Sequence, residues 1–414
     1  MNGVNGLKDE DDTDDTSCSG FYNPEYYDSN DDDMFKKSKW GKVREFVFTR
    51  PKPTTSAWSR VDMHVLFPDL YQPKETVTTM MAGRVVPPTS NIKNNRQIYI
   101  ASQSVGFYSM HFLSKTPTIA LGFGNGKINI HDLNTTKRCH TVEVSPDNMP
   151  VTCIRDYLHS DIHRVVAGTA DGWVKGYTFD LEEGLEEVSA INVDSAIYSL
   201  DTSDNYHICA LDNRQIQVLD ALRGEYVRDV GRISTDEYSE EEEVGHQQRV
   251  TCVRFRPENP YQCVSAGWDR SVYLWDIRME PHKAAVRCMK GPKVCGDGLD
   301  MQGDILLSAS FATENALQMW DLGSGNLIKS IKYKETEKSA EYLYSCRFVD
   351  SSRVVAGGSG SRDAKVINTK TGVIEGVFYD TKPIHSVGYT GGKVAAGGIS
   401  CYVHVGDFSV DEVI

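Results

Sequence analysis

Between Gln248 and Arg278, apolar and polar positions alternate with period two at Val250, Cys252 and Arg254 and again at Val272 and Leu274. That alternation marks half-buried strands separated by turns, three within the stretch and a fourth to follow. The same unit recurs weakly but in order. First strands are expected to begin near Val105, Pro150, Ala196, Gln248, Lys293, Glu341 and Pro383, which makes seven units. Between second and third strands lie the pairs Asn125-Gly126, Asp171-Gly172, Asp212-Asn213, Asp269-Arg270 and Asp363-Ala364. Asn, Asp and Gly there tolerate the backbone angles of a hairpin turn.

Third strands are expected to end at His131-Asp132, Phe179-Asp180, Leu219-Asp220, Trp275-Asp276, Trp320-Asp321, Asn368-Thr369 and Gly406-Asp407. A Trp-Asp pair closing a strand, repeated at about 40 to 45 residues, is a composition cue for propeller blades. The seventh unit runs out after three strands, and an orphan strand at Arg96 to Ala101 precedes the first. Pairing the two closes the ring and removes its free edges. The expectation is an all-β, seven-bladed propeller over residues 96–408; an eight-bladed ring drawing on more of the N-terminal region is the alternative.

Blade four carries the most specific residues: Gly245-His246 ahead of its first strand, Ser265 on the second, Asp269 in the turn and Trp275-Asp276 closing the third. In these the chain resembles the WD-repeat family, over about three quarters of its length. The resemblance implies a structural tetrad of His246, Ser265, Asp269 and Trp275 linked by hydrogen bonds. Five blades lack the Trp, and blade five keeps Trp320-Asp321 without an obvious histidine, so the degenerate blades are expected to rely on apolar packing alone. Trp275-Asp276-Ile277-Arg278 also resembles the WDxR box of substrate receptors of cullin-RING ubiquitin ligases. That likeness implies that Arg278 meets the ligase adaptor, its planar fork suited to carboxylates. Trp320-Asp321-Leu322-Gly323 lacks the Arg, whereas such receptors often carry two boxes.

Phe123, Trp173, Trp268 and Phe311, with Arg270, fall at or beside the turns between second and third strands. Exposed aromatic and Arg residues concentrate binding energy, so this rim is a candidate site for a peptide or protein; packing between blades is the competing role. A Ser held inside a sheet is no nucleophile, and no catalytic residues are assigned. The glycines at Gly122, Gly124 and Gly126 are wrongly spaced for a dinucleotide fold, and the Gly357 to Gly360 run lacks the Lys-Ser/Thr ending of a phosphate loop. No cofactor is expected.

At 40% hydrophobic the 414-residue chain can fill a core of packed sheets, and no run approaches the roughly 18 apolar residues of a membrane helix. Ten cysteines without a Cys-x-x-Cys pair read as reduced, and eleven histidines show no paired ligand spacing, so no metal is expected. Residues 1–33 hold eleven acidic side chains against Lys8 and carry most of the formal charge of −14; they are expected to form a disordered tail whose aromatics Phe21, Tyr22, Tyr26 and Tyr27 resemble a short linear motif. Residues 34–95 form a mostly irregular extension, basic over Met34 to Arg60, where Lys36, Lys37, Lys39, Lys42 and Arg44 surround Trp40. Nucleic acid or nuclear import could use that patch, but the acidic tail beside it argues against nucleic acid. Ser239 in the acidic connection 234–245 resembles an acidophilic kinase site, and 409–414 form a short tail. The acidic N-terminus carries no apolar leader, so an intracellular location, cytoplasmic or nuclear, is expected. Together these readings give a non-enzymatic interaction scaffold in a multiprotein complex, with a ligase substrate receptor as the alternative.

Overall fold

A computed structural model describes residues 91–100, 106–231, 244–334 and 340–408. Strand β1 (Ile92–Tyr99) is followed by six complete blades of four antiparallel strands. Blade 1 comprises β2 (Phe107–Leu113), β3 (Thr118–Phe123), β4 (Lys127–Asp132) and β5 (Arg138–Glu143). Blade 2 has β6 (Val151–His159), β7 (Ile162–Thr169), β8 (Trp173–Asp180) and β9 (Gly184–Asn192), and blade 3 has β10 (Ile197–Thr202), β11 (Tyr206–Leu211), β12 (Ile216–Asp220) and β13 (Tyr226–Val230). In blade 4 these are β14 (Val250–Arg256), β15 (Asn259–Gly267), β16 (Ser271–Asp276) and β17 (Ala285–Lys290); in blade 5, β18 (Leu299–Gln302), β19 (Ile305–Ala309), β20 (Leu317–Asp321) and β21 (Leu327–Ile331). Blade 6 is built from β22 (Leu343–Asp350), β23 (Arg353–Gly358), β24 (Asp363–Asn368) and β25 (Ile374–Tyr379). Blade 7 joins β26 (Ile384–Thr390), β27 (Lys393–Gly398) and β28 (Tyr402–Phe408) to β1, in the order β1-β28-β27-β26.

The ring therefore has seven blades and is all-β; the one helical element among the described residues is a single 3₁₀ turn, Pro281–Lys283. Its closing strand starts at Ile92, four residues before the sequence pattern places it, because a register shift between Lys93 and Arg96 lets the strand run on to pair Ile92 with Phe408. Blade 5 opens at Leu299 rather than near Lys293, since the intervening residues 291–298 form a linker with no strand of its own, bent at Gly296 and Asp297. In blade 6 the residues at the Trp-Asp position are Ile367-Asn368: Asn368 ends β24 and its side chain accepts from the Lys370 and Thr371 N–H groups, so the expected Asn368-Thr369 is one residue late.

Packing runs between neighbouring sheets. Cys252, Val264 and Leu274 of blade 4 pack with Leu299, Leu306 and Trp320 of blade 5, and Ile208 and Val218 of blade 3 pack with Val253 and Trp275 of blade 4. Burying both faces of each sheet in this way supplies the main stabilisation, at about 25 cal/mol per Å² of apolar surface. Among the second strands, β3 is buried along its whole length, whereas β7 and β15 are exposed or half-buried at their starts and become buried toward their C-terminal ends. Gly267 ends β15 where a Cβ would run into the Arg249 carbonyl, and that close approach seats the turn carrying Trp268.

Residues 1–90, 232–243, 335–339, 101–105 and 409–414 lie outside the described part, and with them the acidic tail, most of the basic extension, Ser239 and the C-terminal tail.

Candidate functional site

Blade 4 brings His246, Ser265, Asp269 and Trp275 together. The Trp275 indole donates to the Ser265 hydroxyl at 2.7 Å, Ser265 lies 2.7 Å from His246 Nε2, and His246 Nδ1 lies 2.9 Å from Asp269 Oδ2. Burial raises the Asp269 pKa, but hydrogen bonds from His246 and from the Gln247 and Ser271 N–H groups outweigh it and hold the group below the usual carboxylate range. An ionised Asp269 fixes the proton order: Nδ1–H donates to Asp269, Nε2 accepts from Ser265, and Ser265 accepts from the indole. Tyr273 stacks on Trp275 at 4.8 Å and donates to the Gly245 carbonyl at 3.0 Å. Ser265 is fully buried with its bonding capacity spent inside the blade, so this His-Ser-Asp set has no reachable nucleophile.

The degenerate blades do not rest on apolar packing alone. Trp320 donates to Ser308 at 3.0 Å, the same bond without a histidine. In blade 6, Tyr333 and Ser361 donate to Asp363, and the fully buried Lys365 reaches the Tyr333 carbonyl at 3.0 Å. Blade 7 links Ser400 and His404 to Asp380 at 2.7 and 3.2 Å, and Ser145 reaches Asp171 at 2.6 Å in the first inter-blade turn. A buried polar group without a partner costs several kcal/mol, so each blade lacking the tetrad needs a substitute.

At one end of the ring, the turn after β16 presents Arg278. Trp275 is 0% exposed and Asp276 is buried, so neither can contact a partner directly; of the Trp-Asp-Ile-Arg run only the Arg278 side chain, 58% exposed, is reachable. Asp276 accepts from Arg278 Nε at 2.9 Å and Nη2 at 2.6 Å, and this bidentate pair raises the Arg278 pKa. The guanidinium lies 5.1 Å from the Tyr261 ring centre. Arg228 ties the neighbouring blade to the Ile277 and Met279 carbonyls, which leaves the Met279 side chain exposed beside Arg278. An oriented cation with aromatic and apolar neighbours is a credible protein-contact surface.

At the opposite end, turns between second and third strands lie beside the linkers that enter each blade. Trp268 is half-buried, with Arg249 4.5 Å and Lys293 5.0 Å from its ring centre. Arg270, in the left-handed region at φ 56°, is exposed beside it. Phe311 donates its N–H to the Lys293 carbonyl and stacks on Tyr342 at 4.4 Å. Trp173 stands apart on blade 2, half-buried, with Lys175 5.8 Å from its ring centre. Phe123 does not belong to this rim: it ends a fully buried strand and is 6% exposed, packed with Phe107 and Ile98 across the closure of the ring.

The centre of the ring holds residues the sequence pattern did not reveal. The fifth residue of six first strands is His111, Arg155, Asp201, Arg254, Arg347 and Gly388, and Asp300 takes the matching register in blade 5. Going round the channel, the charge alternates from Arg155 to Arg347. Asp297, from the linker before β18, pairs with Arg155 at 3.1 Å and also with Arg254 and Arg347. Burial and the charge of Arg155 push Arg254 down to about 10. Nearby, His111 and His163 each meet one oxygen of Asp156 at 2.7 Å. Ser114 and His163 address the same Asp156 oxygen, which is not the relay of a nucleophilic triad. The near-identical starts Val151-Thr-Cys-Ile-Arg155 and Val250-Thr-Cys-Val-Arg254 are the sequence signal that locates this belt.

Among the described residues, no His, Cys, Asp or Glu group is arranged to hold a metal, and no helix is long and apolar enough to cross a membrane. No curated protein sequence matches the chain. The crystal structure of Chaetomium thermophilum Raptor is similar, with a TM-score of 0.65 at 18% identity, over 78% of this chain and 30% of that one; the likeness concerns the fold, and the chain spans under a third of that protein's length. A model of the WD domain, G-beta repeat (WD40) family matches residues 240–276, the stretch that forms the tetrad of blade 4. WD-repeat rings generally bind protein partners. With that repeat set in a closed ring of seven four-stranded blades, the chain is a seven-bladed β-propeller that carries a WD repeat in its fourth blade.

Proposed function

We propose that the ring is a non-enzymatic scaffold that holds protein partners at two separate surfaces, one around Arg278 and one around Trp268. The reading is carried by the exposure of Arg278, a guanidinium oriented by Asp276 and Tyr261 beside Met279, on a closed ring whose His246-Ser265-Asp269 set is sealed inside a blade. A closed ring preorganises such surfaces, so binding costs little ordering entropy.

A more specific form of the reading is a substrate receptor of a cullin-RING ubiquitin ligase, with Arg278 facing the adaptor and the Trp268 rim facing the substrate. Support for it is the reachable position of Arg278 in its Trp-Asp-Ile-Arg run. Affinity purification with quantitative mass spectrometry would compare the wild type with Arg278→Ala and Trp268→Ala, each checked for an intact fold. The scaffold reading expects each change to lose a different partner set. Loss of a cullin and its adaptor from Arg278→Ala alone supports the receptor form, and their absence from the wild type removes it. Unchanged partners in both variants would overturn the scaffold surfaces themselves.

A further inference from the structure

We propose that the surface around Arg278 docks an uncharged, apolar segment of a protein partner, with Arg278 serving as a hydrogen-bond donor and not as half of an ion pair with that partner. The inference rests on the scaffold reading and gives the chemistry of one of its surfaces. The charge of Arg278 is already answered within its own blade, where Asp276 accepts from Nε at 2.9 Å and from Nη2 at 2.6 Å. Tyr261 backs the guanidinium, its ring centre 5.1 Å away. A guanidinium carries five N–H donors in a fixed fork. The two on Nη1 have no acceptor among the described residues, so they remain to meet a carbonyl of an incoming chain. Asp276 is buried already, and covering the pair takes little further water from it.

Apolar surface continues on both sides of the pair. Met279 is exposed beside it, and the Tyr261 ring lies 6.4 Å from the ring of Tyr206 across the boundary between blades 3 and 4. Arg228 donates to the Ile277 and Met279 carbonyls, which brings β13, with the exposed Tyr226, against the turn that carries Arg278. The Ala221 N–H donates to the Asn205 carbonyl and so sets the exposed Leu222 beside the Tyr206 turn. Tyr, Met and Arg are the residue types that interface cores favour, and exposed apolar patches mark sites of association. The rim selects against an acidic occupant. Within three residues of these side chains the exposed carboxylates are Asp204, Glu225, Glu258 and Glu280, set against Arg223 and the imidazole of His282. A partner's carboxylate would meet that rim and compete with Asp276 for a guanidinium it already holds, whereas an uncharged apolar segment meets neither opposition.

The test is fluorescence anisotropy on the full chain with three labelled peptides of equal length: leucine and phenylalanine spaced by serine and glutamine, the same peptide with its leucines changed to glutamate, and the same with its leucines changed to lysine. The uncharged peptide is expected to bind, with an affinity that changes less than about twofold on adding salt. Met279→Ser combined with Tyr226→Ser, both on exposed surface, should weaken it about tenfold or more, with thermal unfolding confirming an intact ring. Arg278→Ala should also weaken it, because the Asp276 carboxylate is then left unpaired beneath an apolar segment. Adding Asp276→Asn to Arg278→Ala removes that charge and should recover part of the loss, a recovery that an ion pair with the partner would not show. No binding of the uncharged peptide, binding unaltered by the Met279 and Tyr226 changes, or no recovery with Asp276→Asn overturns the proposal. So does tighter, salt-sensitive binding of the glutamate or lysine peptide that the same variants abolish. Dimerisation of the chain in sedimentation, lost with the Met279 and Tyr226 changes, would make a second copy the occupant and overturn it too. If the uncharged peptide fails while Arg278→Ala still loses cellular partners, this proposal falls, the surface docks proteins of other chemistry and the scaffold reading survives.

Discussion

Ser265 and Ser308 occupy the same place in adjacent blades and each accepts a tryptophan indole N–H, yet only Ser265 also faces a histidine. Their removal should therefore differ. Ser265→Ala leaves both the Trp275 indole and His246 Nε2 without a partner and is expected to cost about 3 kcal/mol, while Ser308→Ala strands one indole and costs about 1–2 kcal/mol. Denaturant unfolding of the two variants gives the comparison; equal losses would mean that His246 contributes nothing through Ser265.

Asp297 is the shared anion of Arg155, Arg254 and Arg347, and it arrives from a linker rather than a strand. Asp297→Ala is expected to destabilise the ring by about 3–5 kcal/mol, because two buried guanidiniums, Arg155 and Arg254, and the half-buried Arg347 lose a counter-charge at once. Adding Arg254→Met should recover part of that loss, and a double-mutant cycle measures how much. Strict additivity of the two changes would show that the pair is not coupled.

Acid sensitivity follows from buried imidazoles. Burial lowers His131 and His207 to about 4 and His385 to about 3, and it lowers His111 despite the Asp156 carboxylate beside it. The native state keeps these rings neutral, whereas the unfolded chain protonates them below about pH 6.5. Stability is then complete above that pH and declines as pH falls from about 6.5 toward 4, by up to about 1.4 kcal/mol per pH unit for each ring. Unfolding free energies measured at a series of pH values should show this slope, and His207→Phe should make it shallower. A flat profile across that window would contradict the burial of these rings.

Closure predicts the effect of truncation. Removing residues 1–99 deletes the partner of β28 and exposes its backbone edge. The shortened chain is expected to unfold at lower temperature and to associate, as seen by sedimentation, because an unpaired edge templates further strands.

The blades were legible because turn pairs such as Asp269-Arg270 and strand endings such as Trp275-Asp276 are local signals within one unit. The charged belt was not, since Arg155 meets Asp297 across 142 positions and only ring closure makes them neighbours. Phe123 misled for a related reason: proximity to a turn suggests exposure, but its strand is enclosed by blades on both sides. Arg278 was readable as a motif, while its clamp by Asp276 and its seat on Tyr261 required coordinates.

The seam also sets an order of events in folding. Asn94 reaches Asp407 across 313 positions, and β1 has no partner until β28 exists. During synthesis from the N-terminus, β1 must wait unpaired while the first six blades emerge, so the ring locks last and slowly, its loop-closure entropy met at the end. Once locked, Ile92 and Phe408 are partners in one strand pair, so the first and last strands of the ring meet at a single seam of an otherwise seamless circle.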